Sequence, residues 1–193
     1  RERPLDVAFV LPVALGVHRD PDGVFFDRSL ERAVSGPGIG SGPMSEGFEG
    51  ESAGECANDL RAVADLAGRF PGWQFTVAGE PILLTQLRDM ADGYSRLEGV
   101  AGEEVGADDP SAIDAAEVLA AFREMAARGT VESVAGPYAG AALGAPAAEG
   151  WRDGFYQIQL GKQELQQTLD LGSAPTGAYS PDLDITTESL SYY

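Results

Sequence analysis

The chain has 193 residues, 44% of them apolar, and carries 31 acidic against 13 basic side chains for a net charge of −18. That length fits one domain, and the apolar fraction builds a core and excludes global disorder. The charge excludes nucleic-acid binding through bulk attraction, which rests on cationic side chains, and disfavours anionic membranes likewise. Lys162 is the single lysine, so no basic run offsets the acidity. No apolar run is long enough for transmembrane insertion. The opening Arg-Glu-Arg-Pro is not a complete secretory signal, and the compartment stays open between cytoplasmic and extracellular. Cys56 is the single cysteine, which excludes an internal disulfide; it reads as a small buried residue in a helix.

In chain order, Leu5 to Leu11 reads as a short apolar strand, followed by a Pro21-Asp22-Gly23 turn. Residues 25–34 fit a helix or a looser segment anchored by Phe26 and Leu30. Residues 35–54, rich in Gly, Ser and Pro, read as a flexible insertion; GPGIGSGP lacks the Lys-Ser or Lys-Thr of a phosphate loop. Cys56 to Phe70 has helical spacing in Leu60, Val63, Ala64, Ala67 and Phe70. Trp73 to Ala78 reads as a strand, and Pro81 suits the first turn of the next helix. Gly99 to Asp109 reads as an acidic loop. Asp109 or Ser111 then caps a helix that Gly129 ends. Thr130 to Val134 is a strand, Phe155 to Leu169 a helix closed by Gly172, and Ala174 to Ser180 a short final strand. Strands separated by helices need long crossovers, which predicts an α/β fold with a parallel sheet and crossover helices, residues 1–193 forming a single domain or domain fragment.

The candidate chemistry is carboxylate chemistry. His18 is the lone histidine, so no two- or three-histidine zinc site can form, and His18, Asp20 and Asp22 lack calcium-loop spacing. No metal or other cofactor is expected. Glycoside hydrolysis with retention commonly uses two carboxyl groups about 5–5.5 Å apart. Asp182 follows the last predicted strand, where parallel sheets place ligand-contacting loops, although Asp182, Asp184 and Glu188 also fit ordinary loop acids. Glu132 either points into the sheet's mouth or begins a solvated strand face. Trp73, Trp151, Tyr138, Phe155, Tyr156 and Tyr179 are the aromatic candidates for stacking on a sugar.

Four segments, in this order, resemble the first half of a glycoside hydrolase family 57 catalytic domain: LDVAFVLPVALG, GWQFTVAGEPILLTQLRD, ARGTVESVAGPYAG and the long stretch WRDGFYQIQLGKQELQQTLDLGSAPTGAYSPDLDI. They are distributed from residue 5 to residue 185. The resemblance implies part of an incomplete seven-stranded (β/α) barrel acting on α-glucans. It implies Asp182 in the nucleophile's place, Glu132 as a substrate-binding glutamate, and Tyr138 and Tyr179 beside the substrate. The chain also departs from the family pattern. Leu11-Pro12-Val13-Ala14 stands where a His-Gln-Pro motif is expected, Gly140 stands where a histidine follows Tyr138, and Asp182 replaces a glutamate. Aspartate is one methylene shorter, and a misplacement near 1 Å can cost roughly 10²-fold in rate. The expectation is therefore a catalytically degenerate glycosidase-like domain that binds an oligosaccharide or supports a protein partner. The alternatives are a retaining α-glucan hydrolase or transferase fragment completed by further sequence or a second protein chain, and a structural or assembly domain that binds no sugar.

Overall fold

The computed structural model describes residues 9–35, 59–70, 72–98, 101–181 and 184–193. Most of the insertion expected at 35–54, Cys56, the first part of the strand expected at Leu5 to Leu11, and Asp182 lie outside the described residues.

Three strands form a parallel sheet in the order β1 (Val10–Val13), β3 (Phe75–Gly79), β6 (Val131–Ser133). A second sheet joins β2 (Val24–Phe25) in parallel to β4 (Tyr94–Glu98), which turns back into antiparallel β5 (Ala101–Val105). The helices are α1 (Ser29–Val34), α2 (Asp59–Arg69), α3 (Pro81–Ala91), α4 (Pro110–Ala127), α5 (Gly144–Ala148) and α6 (Asp153–Thr168), with a 3₁₀ turn at Ser189–Tyr192. The α/β class and the parallel sheet are as the sequence indicates. Among the described residues the parallel sheet has three strands, with no closed barrel.

The register explains how the first sheet is covered. Leu11 pairs with Val77, and Phe75 and Val77 pair with Val131 and Ser133. Side chains alternate across a strand, so this set faces one side, where Val13, Phe75, Val77 and Val131 share a core with Leu84, Leu87, Val118 and Leu165 of the helices. The opposite set is Val10, Thr76 and Glu132, of which Val10 and Glu132 are exposed. The carbonyls of Phe9 and Val13 accept from Thr76 and Glu80. The odd positions of β1 therefore bond to β3, and Pro12, lacking an N–H, falls on the outer side of a strand that ends the sheet, where proline is tolerated.

The helices follow their apolar spacing. Leu83, Leu84, Leu87 and Met90 are buried on α3, and Ala115, Val118, Leu119, Phe122 and Met125 on α4. Asp109 caps α4 by accepting from the Ser111 N–H at 2.9 Å, and Gly129 takes the left-handed conformation just beyond the helix (φ 68°).

Three expectations need correction. The stretch from Gly99 to Asp109 is not a plain loop, because Ala101–Val105 is the return strand of a hairpin. Tyr94 pairs with Val105 and Arg96 with Glu103, so the acidic residues are cross-strand partners of an arginine and a serine. At the end of α6 the left-handed residue is Asp170 (φ 53°), not Gly172, and the Leu171 N–H returns to the Gln166 carbonyl. The segment 174–180 contributes a single parallel bridge, Ala135 to Ala178, rather than a full strand.

One polar cluster ties the second sheet to α1. Glu31 Oε1 accepts from the Tyr94 hydroxyl at 2.5 Å and from Arg96 Nη1 at 2.6 Å, while Oε2 accepts from Arg28 Nε at 2.8 Å. Burial alone would raise the Glu31 carboxyl, but these donors outweigh it and hold it below its ordinary value. Burial, reinforced by the Glu31 charge, pushes the Tyr94 phenol up to about 12. Arg96 also reaches Glu103 at 2.8 Å, and both partners raise its already high value.

Candidate functional site: a cleft at the carboxyl ends of the parallel strands

Parallel strands present ligand-contacting loops at their carboxyl ends, and a cleft of about 160 Å³ lies there. Ala14 follows β1, Gly79 ends β3 and Glu80 follows it, and Pro137 and Gly140 follow β6; Tyr179 and Pro181 close the remaining side. Drug-sized ligands occupy about 300 Å³ or more, so this cleft suits a single small ring.

Glu80 is placed by the shortest possible strand-to-helix link: Gly79 ends β3, Glu80 is extended (φ −71°, ψ 118°), and Pro81 starts α3. The Glu80 N–H donates to the Val13 carbonyl, which fixes its backbone to the end of β1. Its carboxylate is half-buried. Oε2 accepts from the Gly16 N–H at 2.9 Å, and no described residue donates to Oε1. Among the described lining residues Glu80 is the one carboxylate, and none is a cation.

The Gly16 end of this contact is itself held. Gly16 adopts φ 77°, and its carbonyl accepts from Gln86 Nε2 at 3.0 Å. Gln86 Oε1 accepts from the His18 N–H at 2.6 Å. Gln86 is fully buried and offers one donor and one acceptor to the 16–18 backbone, as a neighbouring strand would. Glycine serves at position 140 for a second reason. Its φ is 66°, and a side chain built there would run into the Glu80 carboxylate. The room a histidine would need at 140 is filled by Glu80.

Tyr179 is half-buried and lines the cleft. Its N–H donates to the Ala135 carbonyl at 2.7 Å, and its own carbonyl accepts from the Tyr193 hydroxyl at 3.2 Å. Tyr138 is not among the lining residues. Its hydroxyl donates to Thr85 Oγ1 at 3.1 Å, and its carbonyl accepts from the Ile82 N–H in the first turn of α3. Glu132 is exposed on β6, level with Thr76 and before the strand's end, and does not line the cleft. Asp182 lies outside the described residues; Pro181, its neighbour in sequence, lines the cleft.

The other sequence candidates are engaged elsewhere. Asp184 Oδ2 accepts from the Gly144 N–H at the start of α5 at 2.7 Å. Glu188 immediately precedes the 3₁₀ turn, and its carbonyl accepts from Ser191. His18 Nδ1 meets both Asp27 oxygens at 3.0 Å, and Asp20 accepts from the Val24 N–H, so His18, Asp20 and Asp22 do not converge on one point. Burial would raise Asp27, but the His18 and Ser29 donors outweigh it and hold it low. Among the described residues no group of three His, Cys, Asp or Glu side chains is disposed to hold a metal, and no helix is long and apolar enough to cross a membrane. Trp73 stacks with Phe9 (5.7 Å between centroids) and leans on Phe70, all at the amino ends of β1 and β3, away from the cleft. Trp151, Phe155 and Tyr156 are exposed at the start of α6.

Sequence reasoning missed Glu80 because it treated Gly-Glu-Pro as a helix boundary. The signal was there: a carboxylate one residue beyond a strand and one before an N-terminal proline has little freedom except at the sheet's end. Comparison of the chain with protein-family models and with curated proteins finds no match.

Proposed function

We propose that this chain is a carbohydrate-binding, glycosidase-like domain with little or no hydrolytic activity of its own. The observation that carries the reading is the cleft at the carboxyl ends of three parallel strands, with an aromatic side chain, Tyr179, on one side and a half-buried carboxylate, Glu80, on another. Sugar sites combine these features: a ring face for the apolar side of the sugar, and a fixed acceptor for its hydroxyls. Hydrolysis with retention commonly needs a second carboxyl group close by. Asp182 is the residue proposed for the nucleophile's part, with Glu132 and Tyr138 further along an extended glycan than the cleft itself. In this reading the three-stranded sheet is part of an incomplete seven-stranded barrel, and a second protein chain would add to the outer side of β1.

The test is an oligosaccharide panel titrated into the 193-residue chain, followed by calorimetry and by amide chemical shifts. Saturable binding that moves the Tyr179 and Gly140 amides is the expected result. A panel with neither heat nor shifts sinks the reading. If an assembly with a partner chain hydrolyses α-glucans, Asp182→Asn is expected to lower its rate at least 100-fold. An unchanged rate removes Asp182 from the mechanism.

A further inference from the structure

Among the described residues Glu80 is the one charged side chain that lines the cleft. The Glu80 backbone is fixed by its bond to Val13, and its side chain is oriented by the Gly16 N–H on Oε2, a contact that swinging out would break. Gly16 is locked in turn by the fully buried Gln86. Oε1 has no donor among the described residues and sits where a side chain at position 140 would stand, an approach that glycine alone allows. The other lining residues are alanine, glycine, proline and tyrosine, so nothing described in the cleft neutralises the carboxylate. A half-buried carboxylate with a bare oxygen gains most from a cationic donor, gains less from a neutral hydroxyl, and repels an anion.

We infer that Glu80 is a charge-selecting residue, and that the cleft ranks ligands of one ring shape in the order amino sugar, neutral sugar, uronic acid. The inference rests on the carbohydrate reading above and adds to it a specificity residue and a preferred ligand chemistry. The bulk charge of −18 acts in the same direction, but it is screened over about 8 Å at physiological salt. Replacing one carboxylate by an amide leaves nearly all of that background in place, so the variant isolates the local effect.

The experiment uses methyl glycosides of gluco, galacto and manno configuration, each in neutral, 2-amino-2-deoxy and uronate form. They are titrated at 0.15 M salt into the isotope-labelled 193-residue chain and into Glu80→Gln. Glutamine keeps an acceptor for the Gly16 N–H, and an unchanged far-ultraviolet circular dichroism spectrum verifies its fold. For at least one configuration, the expected result is a step of roughly tenfold in Kd between amino and neutral forms and another between neutral and uronate forms. The Gly16, Gly140 and Tyr179 amides should report it, and Glu80→Gln should compress the whole series to within about twofold. Three outcomes overturn the inference while sparing the carbohydrate reading: neutral sugars that bind without charge preference, a preference that survives Glu80→Gln, or shifts confined to residues away from the cleft. If no form of any configuration binds, and the oligosaccharide panel also fails, both are overturned.

Discussion

Glu31 and Glu80 both stand at the start of a helix, and both are partly withdrawn from water, yet they are opposites in how they are satisfied. Glu31 takes donors on both oxygens, from Tyr94, Arg96 and Arg28, and the cluster continues through Arg96 to Glu103. Among the described residues Glu80 takes one donor, from a backbone N–H, on one oxygen. A buried polar group saturated by its own protein has no capacity left for a ligand; its worth is structural. One that keeps an oxygen open at the end of a parallel sheet gives up stability for the ability to bind. The contrast teaches that ionisable clusters on this acidic chain are to be sorted by unmet valence rather than by density of charge.

The largest expected effect tests the structural side. Glu31→Ala removes the carboxylate that Arg96 and Tyr94 share, leaving Tyr94 only Ser111, and both Glu31 and Arg96 have side chains only 13% exposed. Removing one partner of such a pair costs about 3–5 kcal/mol, and Arg96 keeps Glu103, so the lower end is expected in urea unfolding. A loss below about 1 kcal/mol would place this cluster with ordinary surface pairs. Next comes Gln86→Leu, which leaves the Gly16 carbonyl and the His18 N–H without their partner and should cost about 1–3 kcal/mol. Because Gln86 supports the cleft from behind, this variant should also weaken any ligand seen by the Gly16 amide. A stability loss with full binding would separate the scaffold from the site.

Tyr94→Phe is smaller, about 1 kcal/mol near neutral pH. It carries a signature in the pH profile. The Tyr94 phenol is raised in the folded state to about 12, so its contribution is complete below pH 10 and is lost as pH rises from 10 toward 12. The phenylalanine variant should flatten that alkaline fall. At the acid end the sign reverses. Glu31 and Asp27 are held below their ordinary values, so their contribution is present above the ordinary carboxylate range and drains away as pH falls through the lowered values. The smallest effect is on the functional side: Glu80→Gln should change the unfolding midpoint by less than about 0.5 kcal/mol in free energy, since the Gly16 bond is retained. A cost comparable to that of Glu31→Ala would erase the contrast between the two glutamates.

The class of fold was legible because it is written in local periodicity. The Leu83, Leu84, Leu87, Met90 stripe, the Asp109 cap with Gly129 at the far end, and the apolar strand at 75–79 are each short-range patterns. The hairpin at 94–105 was harder to read because its second strand is Ala-Gly-Glu-Glu-Val, in which Val105 alone favours a strand. What makes it a strand is the partner: Arg96 and Ser95 opposite the two glutamates, information held in another segment. The cleft fared likewise. Tyr179, singled out in the sequence as an aromatic, lines the cleft, whereas Glu80 emerges only when Gly16, Val13 and Gly140, up to 127 positions apart in the chain, are brought to one end of the sheet. Tyr138 shows the converse. Its aromatic ring marked it for a ligand, but Thr85 on α3 has taken its hydroxyl.

The buried amide of Gln86 also has a consequence for how the molecule breathes. Residues 16–18 belong to no strand or helix, and such stretches ordinarily trade their amide protons with water quickly. Here the His18 N–H ends on the fully buried Gln86 of α3, and the Gly16 N–H on Glu80, the residue just before that helix, so the His18 proton escapes when the helix moves away and the Gly16 proton when the Glu80 side chain lets go. In deuterium the His18 amide should be retained on the timescale of the core opening, which makes this stretch of coil a clock for the stability of the sheet it follows.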